Sequence, residues 1–385
     1  MPIILFDNTH RRRFWPLIQT KALAALRMGM LTMAERWERL TGMQVFIHTE
    51  AYLQNLYGYP DAGEHIWIDA TVIPNSALVD LVQSLDKNDC WADENGLIIG
   101  KTELSFEDFD AAQSLQYFEN IHDHATVDRI YYAWDLMQWN DRMIRFDFTL
   151  LTRGKTSSIP SSTNRCIHAE DIFIEQGAIV EHSILNASTG PIYIGKNALI
   201  MEGTAIRGPF ALGDHSVIKM NSRIYGATTL GPYCMGGGEI KNSILMGYSN
   251  KAHDGYMGDA VIGEWCNWGA GTSNSNVKNT GGMIQVWSEA GQQYLPVGSK
   301  CGVMMGDYSR TAINSSINTG SVIGVSCNVF GEGLLPNIIP DFSWGCKGVK
   351  YRMDKALEDI NNWKQLKQQS LSETEKQILI TIASQ

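Results

Sequence analysis

Every sixth residue from position 194 is aliphatic: Ile194, Ile200, Ile206, Leu212, Ile218, Ile224 and Leu230. Four residues after each stands Ala198, Thr204, Phe210, Ser216, Ser222, Thr228 or Cys234, all small except Phe210. A glycine directly follows Ile194, Leu212 and Leu230, which are 18 residues apart. Amphipathic helices repeat every 3.6 residues and half-buried strands every two, so neither produces this period. A short strand pointing one aliphatic inward, followed by a tight turn that needs a small residue, does. Three such units close a triangular coil, and stacked coils bury a continuous aliphatic column. The pattern predicts a left-handed parallel β-helix of hexapeptide repeats. It returns as Ile262/Trp268 and Val297/Val303, with fragments from Ile174 to Val329. Between Gly236 and Gly258 it loosens, and functional loops are expected where a regular scaffold is interrupted.

Glycine marks the limits of this part. Of 36 glycines, 6 fall in residues 1–150, 30 in 151–350 and none in 351–385. The N-terminal part reads as α/β, with strands at 2–6 and 44–48 and a helix over 31–41 stopped by Gly42. Asn75 is placed to cap an amphipathic stretch at 77–85, and 125–149 is predicted helical. The expected division is an α/β domain at 1–152, a Ser/Thr/Gly/Pro linker at 153–164, the β-helix at 165–346 and a helical tail at 347–385.

Composition excludes several classes. The formal charge is −10, without a basic tract to bind nucleic acid or a membrane surface. No apolar run approaches the roughly 18 residues that span a bilayer, and the N-terminus lacks signal-peptide character. Seven cysteines without a Cys-x-x-Cys pair are read as free thiols in a reducing cytoplasm.

The loosened segment carries a dense polar series. It contains Glu239, Lys241, Asn242, Tyr248, Asn250, Lys251, His253, Asp254 and Tyr256, followed by Asn267-Trp268-Gly269-Ala270-Gly271-Thr272 and Asn276. Arg223 lies 18 residues before Lys241, a spacing that predicts two cations stacked about 4.8 Å apart with an anion between them. His253 is either a general base or a plain surface histidine. The glycine run 236–238, with no Lys-Ser/Thr after it, reads as a bend rather than a phosphate loop. His122-Asp123-His124 reads as a ligand pair or a solvated loop.

From Arg223 to Asn276 the chain resembles the acetyltransferase domain of the bifunctional N-acetylglucosamine-1-phosphate uridylyltransferase/glucosamine-1-phosphate acetyltransferase family. The resemblance rests on Arg223, Glu239-x-Lys241, His253-x-x-Tyr256, the run 267–272 and Asn276. Over most of its length the chain is similar to bacterial sugar nucleotidyltransferases, through Ile4-Leu5-Phe6-Asp7, Leu26-Arg27-Met28-Gly29, Glu35-Arg36-Trp37 and 206–213. The resemblance implies a Rossmann-like nucleotidyltransferase-type domain before the β-helix, in a cytoplasmic homotrimer that makes sugar nucleotides. It implies His253 and Glu239 as catalytic residues, with Arg223, Lys241, Tyr256, Asn267 and Asn276 binding an amino-sugar phosphate. Ala270 and Gly271 would bind acetyl-CoA. Val277 and Gly281-Gly282 depart from the family pattern, which has a tyrosine and a basic stretch there.

For nucleotidyl transfer from UTP or dTTP, the family begins with a glycine-rich phosphate loop, and this chain has no glycine before Gly29. Arg11, Arg12 and Arg13 are either substitute phosphate donors or a solvated basic turn. Asp69 is one candidate for the aspartates that would hold Mg2+ if this domain is active, and no second is evident. The alternatives are an acyltransferase with a non-catalytic N-terminal scaffold, and a non-catalytic β-helix used for assembly or sugar-nucleotide binding.

Overall fold

The computed structural model describes residues 1–123 and 127–385, so His124 lies outside the described residues. The chain divides into two compact units. The first comprises Met1–Phe14, Thr20–Leu26 and Leu31–Tyr132, and the second Trp15–Gln19, Arg27–Met30 and Ala133–Gln385.

The first unit is a Rossmann-like sheet. Its strands are β1 (Ile3–Phe6), β2 (Val45–His48), β3 (His65–Asp69), β4 (Asp89–Asp93), β5 (Gly96–Thr102) and β6 (Asn120–Asp123), in the spatial order β2-β1-β3-β5-β4-β6. β1 lies parallel to both β2 and β3, and is buried along its whole length, as its unbroken apolar sequence requires. Helix α1 (Met33–Thr41) begins at a capping box between Thr32 and Glu35 and stops at Gly42, whose φ is 68°. Helix α2 (Ser76–Ser84) is capped by Asn75 accepting from the Leu78 amide, as expected.

The helix predicted over 125–149 starts only at Asp135 and forms α3 (Asp135–Thr152) in the second unit. Before it, Arg129 bridges antiparallel to Val72 and is buried, because two aspartates hold it there. On α3, Asn140 is fully buried. Its amide accepts from the Gly29 N–H (2.7 Å) and the Thr229 hydroxyl (3.2 Å) and donates to the Ala227 carbonyl (2.8 Å).

The rest of the second unit is a left-handed parallel β-helix followed by helices. One face stacks nine short strands, from Ile172–Ile174 to Ile338–Ile339. A second face runs from Ile179–Val180 to Asn250–Lys251 and continues through Asn267 to Arg310–Thr311. The third runs from Arg165–Ile167 to Tyr256–Gly258, with Ser273–Asn274 and Ser316–Ile317 beyond. The seven aliphatics of the six-residue register are each at most 2% exposed and form the core column. The small residues four positions on are buried too, at the corners where a larger side chain would collide with the column.

Coil length changes where the repeat loosens. Ile194 pairs with Leu212, 18 residues on, but Leu230 pairs with Leu245, only 15 on, and Ile224 with Ile240, 16 on. The glycine corner makes the shorter coil possible, since a Cβ on Gly237 would lie 2.3 Å from the Ala252 carbonyl oxygen. Val297 does not continue the repeat. It belongs to a hairpin, Ile284–Ser288 with Gln293–Gly298, inserted between two coils.

A corner column of residues with positive φ carries an aromatic ladder. His215, Tyr233, Tyr248 and Trp265 stack face to face at 4.8, 4.9 and 4.2 Å. The C-terminal tail is two helices, α4 (Met353–Gln365) and α5 (Glu373–Ser384), because Ser372 and Glu375 form a capping box that starts a new helix. Lys364 of α4 lies 4.9 Å from the Trp265 ring, and Lys367 donates to the Tyr233 and Tyr248 carbonyls. All seven cysteines are free thiols. No helix among the described residues is long and apolar enough to cross a membrane.

Candidate active site

Side chains alternate across a strand, so residues two apart on the third face both point outward. Register sets Arg223, Glu239, Tyr256 and Ser273 in one outward column, with Tyr225, Lys241 and Gly258 in the next. The shortened coil therefore corrects one expectation. Arg223 stacks on Glu239, and Lys241 on Tyr225, instead of the two cations stacking on each other. Arg223 Nε lies 3.6 Å from Glu239 Oε2, and Tyr225 donates its hydroxyl to Glu239 Oε1 at 2.6 Å. Lys241 Nζ lies 5.9 Å from the Tyr225 ring centre. Glu239 thus has Arg223 against it in its own column, with Lys241 two residues on in the neighbouring column.

Donation to the Glu239 carboxylate pushes the Tyr225 hydroxyl up to about 12. Tyr256 is also raised to about 12, first by burial and then by the Asp259 carboxylate. Its hydroxyl lies over Gly258, where a Cβ would come within 2.3 Å, and it bonds the Asn276 side chain. Asn276 in turn donates to Asp259, which also accepts from Asn242 at 2.6 Å.

His253 stands at the corner by which the chain enters this face. Its side chain is exposed, and among the described residues its imidazole has no hydrogen-bond partner. The backbone beneath it is held firmly. Lys251 is 2% exposed and donates from Nζ to the carbonyls of Gly237 (2.8 Å) and His253 (2.6 Å). Burial lowers the Lys251 ammonium from its ordinary 10.5 to about 8, against the raising pull of Asp254. Between those two values the unfolded chain binds more protons than the folded one, so stability rises with pH there. The stability difference between wild type and Lys251→Met is expected to shift by about 3 kcal/mol in favour of wild type from pH 7.5 to 10.5. Urea unfolding at a series of pH values measures this, and a flat difference would contradict it.

The run 269–272 forms the same corner one coil further on. Its Gly271 N–H donates to the Asp254 carbonyl (3.0 Å), its Gly269 N–H to Thr311 Oγ1 (3.0 Å) and its Thr272 N–H to the Gly269 carbonyl (3.1 Å). Among the described residues the Ala270 N–H meets no acceptor, so this corner offers one amide rather than several.

Of the expected site residues, then, the fold brings Arg223, Glu239, Lys241, Tyr256 and Asn276 onto one face, with His253, Ala270 and Gly271 at its adjoining corner. Asn267 does not join them. It lies on the second face between Asn250 and Arg310. Tyr225 and Asp259 lie outside the polar series read from the sequence, and Lys251, which belongs to it, serves as a buried backbone anchor. Tyr225 was recoverable, since two residues after Arg223 on a strand is the same face.

The N-terminal candidates fare differently. Arg11 is buried and bound to Asp7 (2.8 Å) and the Lys21 carbonyl (3.1 Å), so it is a structural residue and not a phosphate donor. Arg12 is exposed, and the Arg13 guanidinium lies 5.6 Å from the Tyr132 ring. Asp69 accepts from Asn8 Nδ2 (2.9 Å), the Thr71 N–H (2.8 Å), the Thr71 hydroxyl (2.7 Å) and Arg129 Nη1 (2.7 Å). Magnesium needs carboxylate oxygens directed at one point beside water and phosphate. A carboxylate filled by these donors does not fit it.

Residues 3–156 match the sugar nucleotidyl transferase family model. Among curated proteins, the bifunctional protein GlmU of Synechococcus elongatus is 28% identical over 164 residues, covering 40% of this chain and 32% of that protein. GlmU of Methanocaldococcus jannaschii is 34% identical over 89 residues, 23% of this chain and 21% of its own. The bifunctional sugar-1-phosphate nucleotidylyltransferase/acetyltransferase of Sulfurisphaera tokodaii is 34% identical over 92 residues, 24% and 23% respectively. The matched part thus spans a third or less of these relatives. A crystal structure of the polySia specific acetyltransferase NeuO covers 53% of this chain and 93% of that one, at 11% identity and a TM-score of 0.28, and no inference is drawn from it. The chain resembles bifunctional sugar-1-phosphate transferases.

Proposed function

We propose that the β-helix transfers an acetyl group from acetyl-CoA to the amine of an amino-sugar 1-phosphate such as glucosamine 1-phosphate. The observation that carries this reading is the exposed, unpartnered His253 imidazole beside a face bearing Arg223 and Lys241. On this reading His253 takes a proton from the attacking amine. Arg223 and Lys241 hold the sugar phosphate beside Glu239. The Ala270 N–H donates to the thioester oxygen as the C–N bond forms, the C–S bond breaks and the thiol leaves with a proton. Tyr256 and Asn276 shape the sugar pocket. The proposed division is a nucleotidyltransferase-like part at 1–152, an acyltransferase part at 165–346 and a helical tail, assembled as a trimer.

A product screen by mass spectrometry, with acetyl-CoA and a set of amino-sugar phosphates, tests the reading. N-acetylated product is expected, and no thiol release with any acceptor would overturn it. The family match over residues 3–156 favours a second reading, nucleotidyl transfer from UTP or dTTP to a sugar 1-phosphate. Pyrophosphate release is its test.

A further inference from the structure

We propose that the N-terminal unit holds a metal-independent pocket for an uncharged polyhydroxylated ring, with Arg129 fixed where a divalent cation would bridge two carboxylates. Arg129 donates from Nη1 to Asp69 (2.7 Å), and from Nη2 and Nε to Asp93 (3.1 and 3.3 Å). Its side chain is 1% exposed and those of both aspartates are 3% exposed. A guanidinium does not lose its proton in a protein, so this charge is permanent and cannot be exchanged for an ion. Asn8 and Thr71 fill the remaining positions around Asp69. Among the described residues, the one group of three or more His, Cys, Asp and Glu able to meet around an ion is His168, Glu170 and Asp171, which belongs to the second unit.

The pocket lies where the fold places ligands. β1 runs to β2 on one side and neighbours β3 on the other, so the strand order reverses between β1 and β3. A ligand is expected outside the carboxyl ends of these strands. Phe6 and Asp69 are those ends, and both line a cavity of about 260 Å³. Its other walls are apolar at Leu97 and uncharged but polar at Thr9, Asn95, Ser114 and Gln116. Among the described residues no lysine, arginine or histidine lines it, and Asp69 is the one charged residue of the lining. A triphosphate would bring several negative charges against a lining whose one charged group is a carboxylate, and the guanidinium on that carboxylate is already committed to Asp69 and Asp93. Hydroxyl and amide walls beside an apolar floor suit a sugar or nucleoside ring. This inference owes nothing to the acyl-transfer reading of the β-helix.

Titration calorimetry on the full chain tests it, with uridine, thymidine and N-acetylglucosamine as probes, first in EDTA and then with Mg2+. At least one probe is expected to bind in EDTA, with Kd unchanged within twofold by Mg2+. Thr9→Trp, an exposed rim position, is expected to weaken that binding at least tenfold. The free-Mn2+ paramagnetic resonance signal is expected to survive addition of equimolar protein. Failure of all three probes in EDTA, or binding only with Mg2+, would overturn the proposal. So would Mn2+ capture by the wild type that disappears in Asp69→Asn.

Discussion

His253→Ala is expected to lower thiol release from acetyl-CoA, with glucosamine 1-phosphate as acceptor, by roughly 10²- to 10⁴-fold, the usual contribution of a positioned general base. The change should act on chemistry and not on folding. The imidazole is exposed, and the groups that hold this corner, Lys251 Nζ and the Gly271 amide, bind the carbonyls of His253 and Asp254, which alanine retains. Unfolding midpoints should therefore agree within the range of an ordinary surface substitution, about 0.5 kcal/mol. Glu239→Gln should behave otherwise. It removes the charge that Tyr225 and Arg223 share, so it should raise KM for the sugar phosphate as well as lower kcat. A thiol-trapping assay separates the two variants. Activity within threefold of wild type in His253→Ala would remove the base from the proposed mechanism.

The scaffold was legible because its signal is repetitive: a buried aliphatic every six residues leaves no other fold that hides them all. The period shows that it loosens between Gly236 and Gly258, but not by how many residues the coil there is shortened. Arg223 and Lys241 are 18 residues apart in sequence, the length of a full coil, yet the intervening coil is shortened to 16 on that face. The shift comes from backbone closeness at the glycine corner 236–238, and a loosened period alone does not give its size. The same shift explains why Tyr225, rather than an anion, lies beneath Lys241. In the N-terminal unit the sequence offers Asp69 as a candidate magnesium ligand, but Arg129 is 60 residues away and sits inside a stretch whose composition reads as helix. Only tertiary pairing with Val72 and two aspartates pulls it out of that helix. Asn267 illustrates a different limit, since adjacency in a motif does not determine which face of a three-sided coil a residue occupies.

Gly255→Ala is expected to be the most damaging single-methyl change on the candidate face. Gly255 has φ of 118°, which side-chain-bearing residues rarely adopt. A Cβ there would lie 2.1 Å from the Thr272 carbonyl oxygen, with the Thr272 and Gly271 carbonyl carbons at 3.0 and 3.2 Å. Relief would require two stacked coils to part, because backbone and not a flexible side chain is in the way. Parting them would stretch the Gly271-to-Asp254 hydrogen bond and shift Glu239, whose amide donates to the Gly255 carbonyl. Gly281→Ala makes the matched control. Its φ of 66° is also left-handed, but nothing lies within 4 Å of its Cβ position. Backbone strain alone should cost Gly281→Ala about 1 kcal/mol. Gly255→Ala adds the collision and should lose about 3 kcal/mol or more, a denaturation midpoint shift well outside that of the control. Acetyl transfer should fall with it even under conditions where both variants remain folded, since His253, Tyr256 and Glu239 all hang from the displaced backbone. Equal midpoints for the two alanine variants would mean that the coils can separate at little cost, and that the corner is not the rigid mount on which the placement of His253 depends.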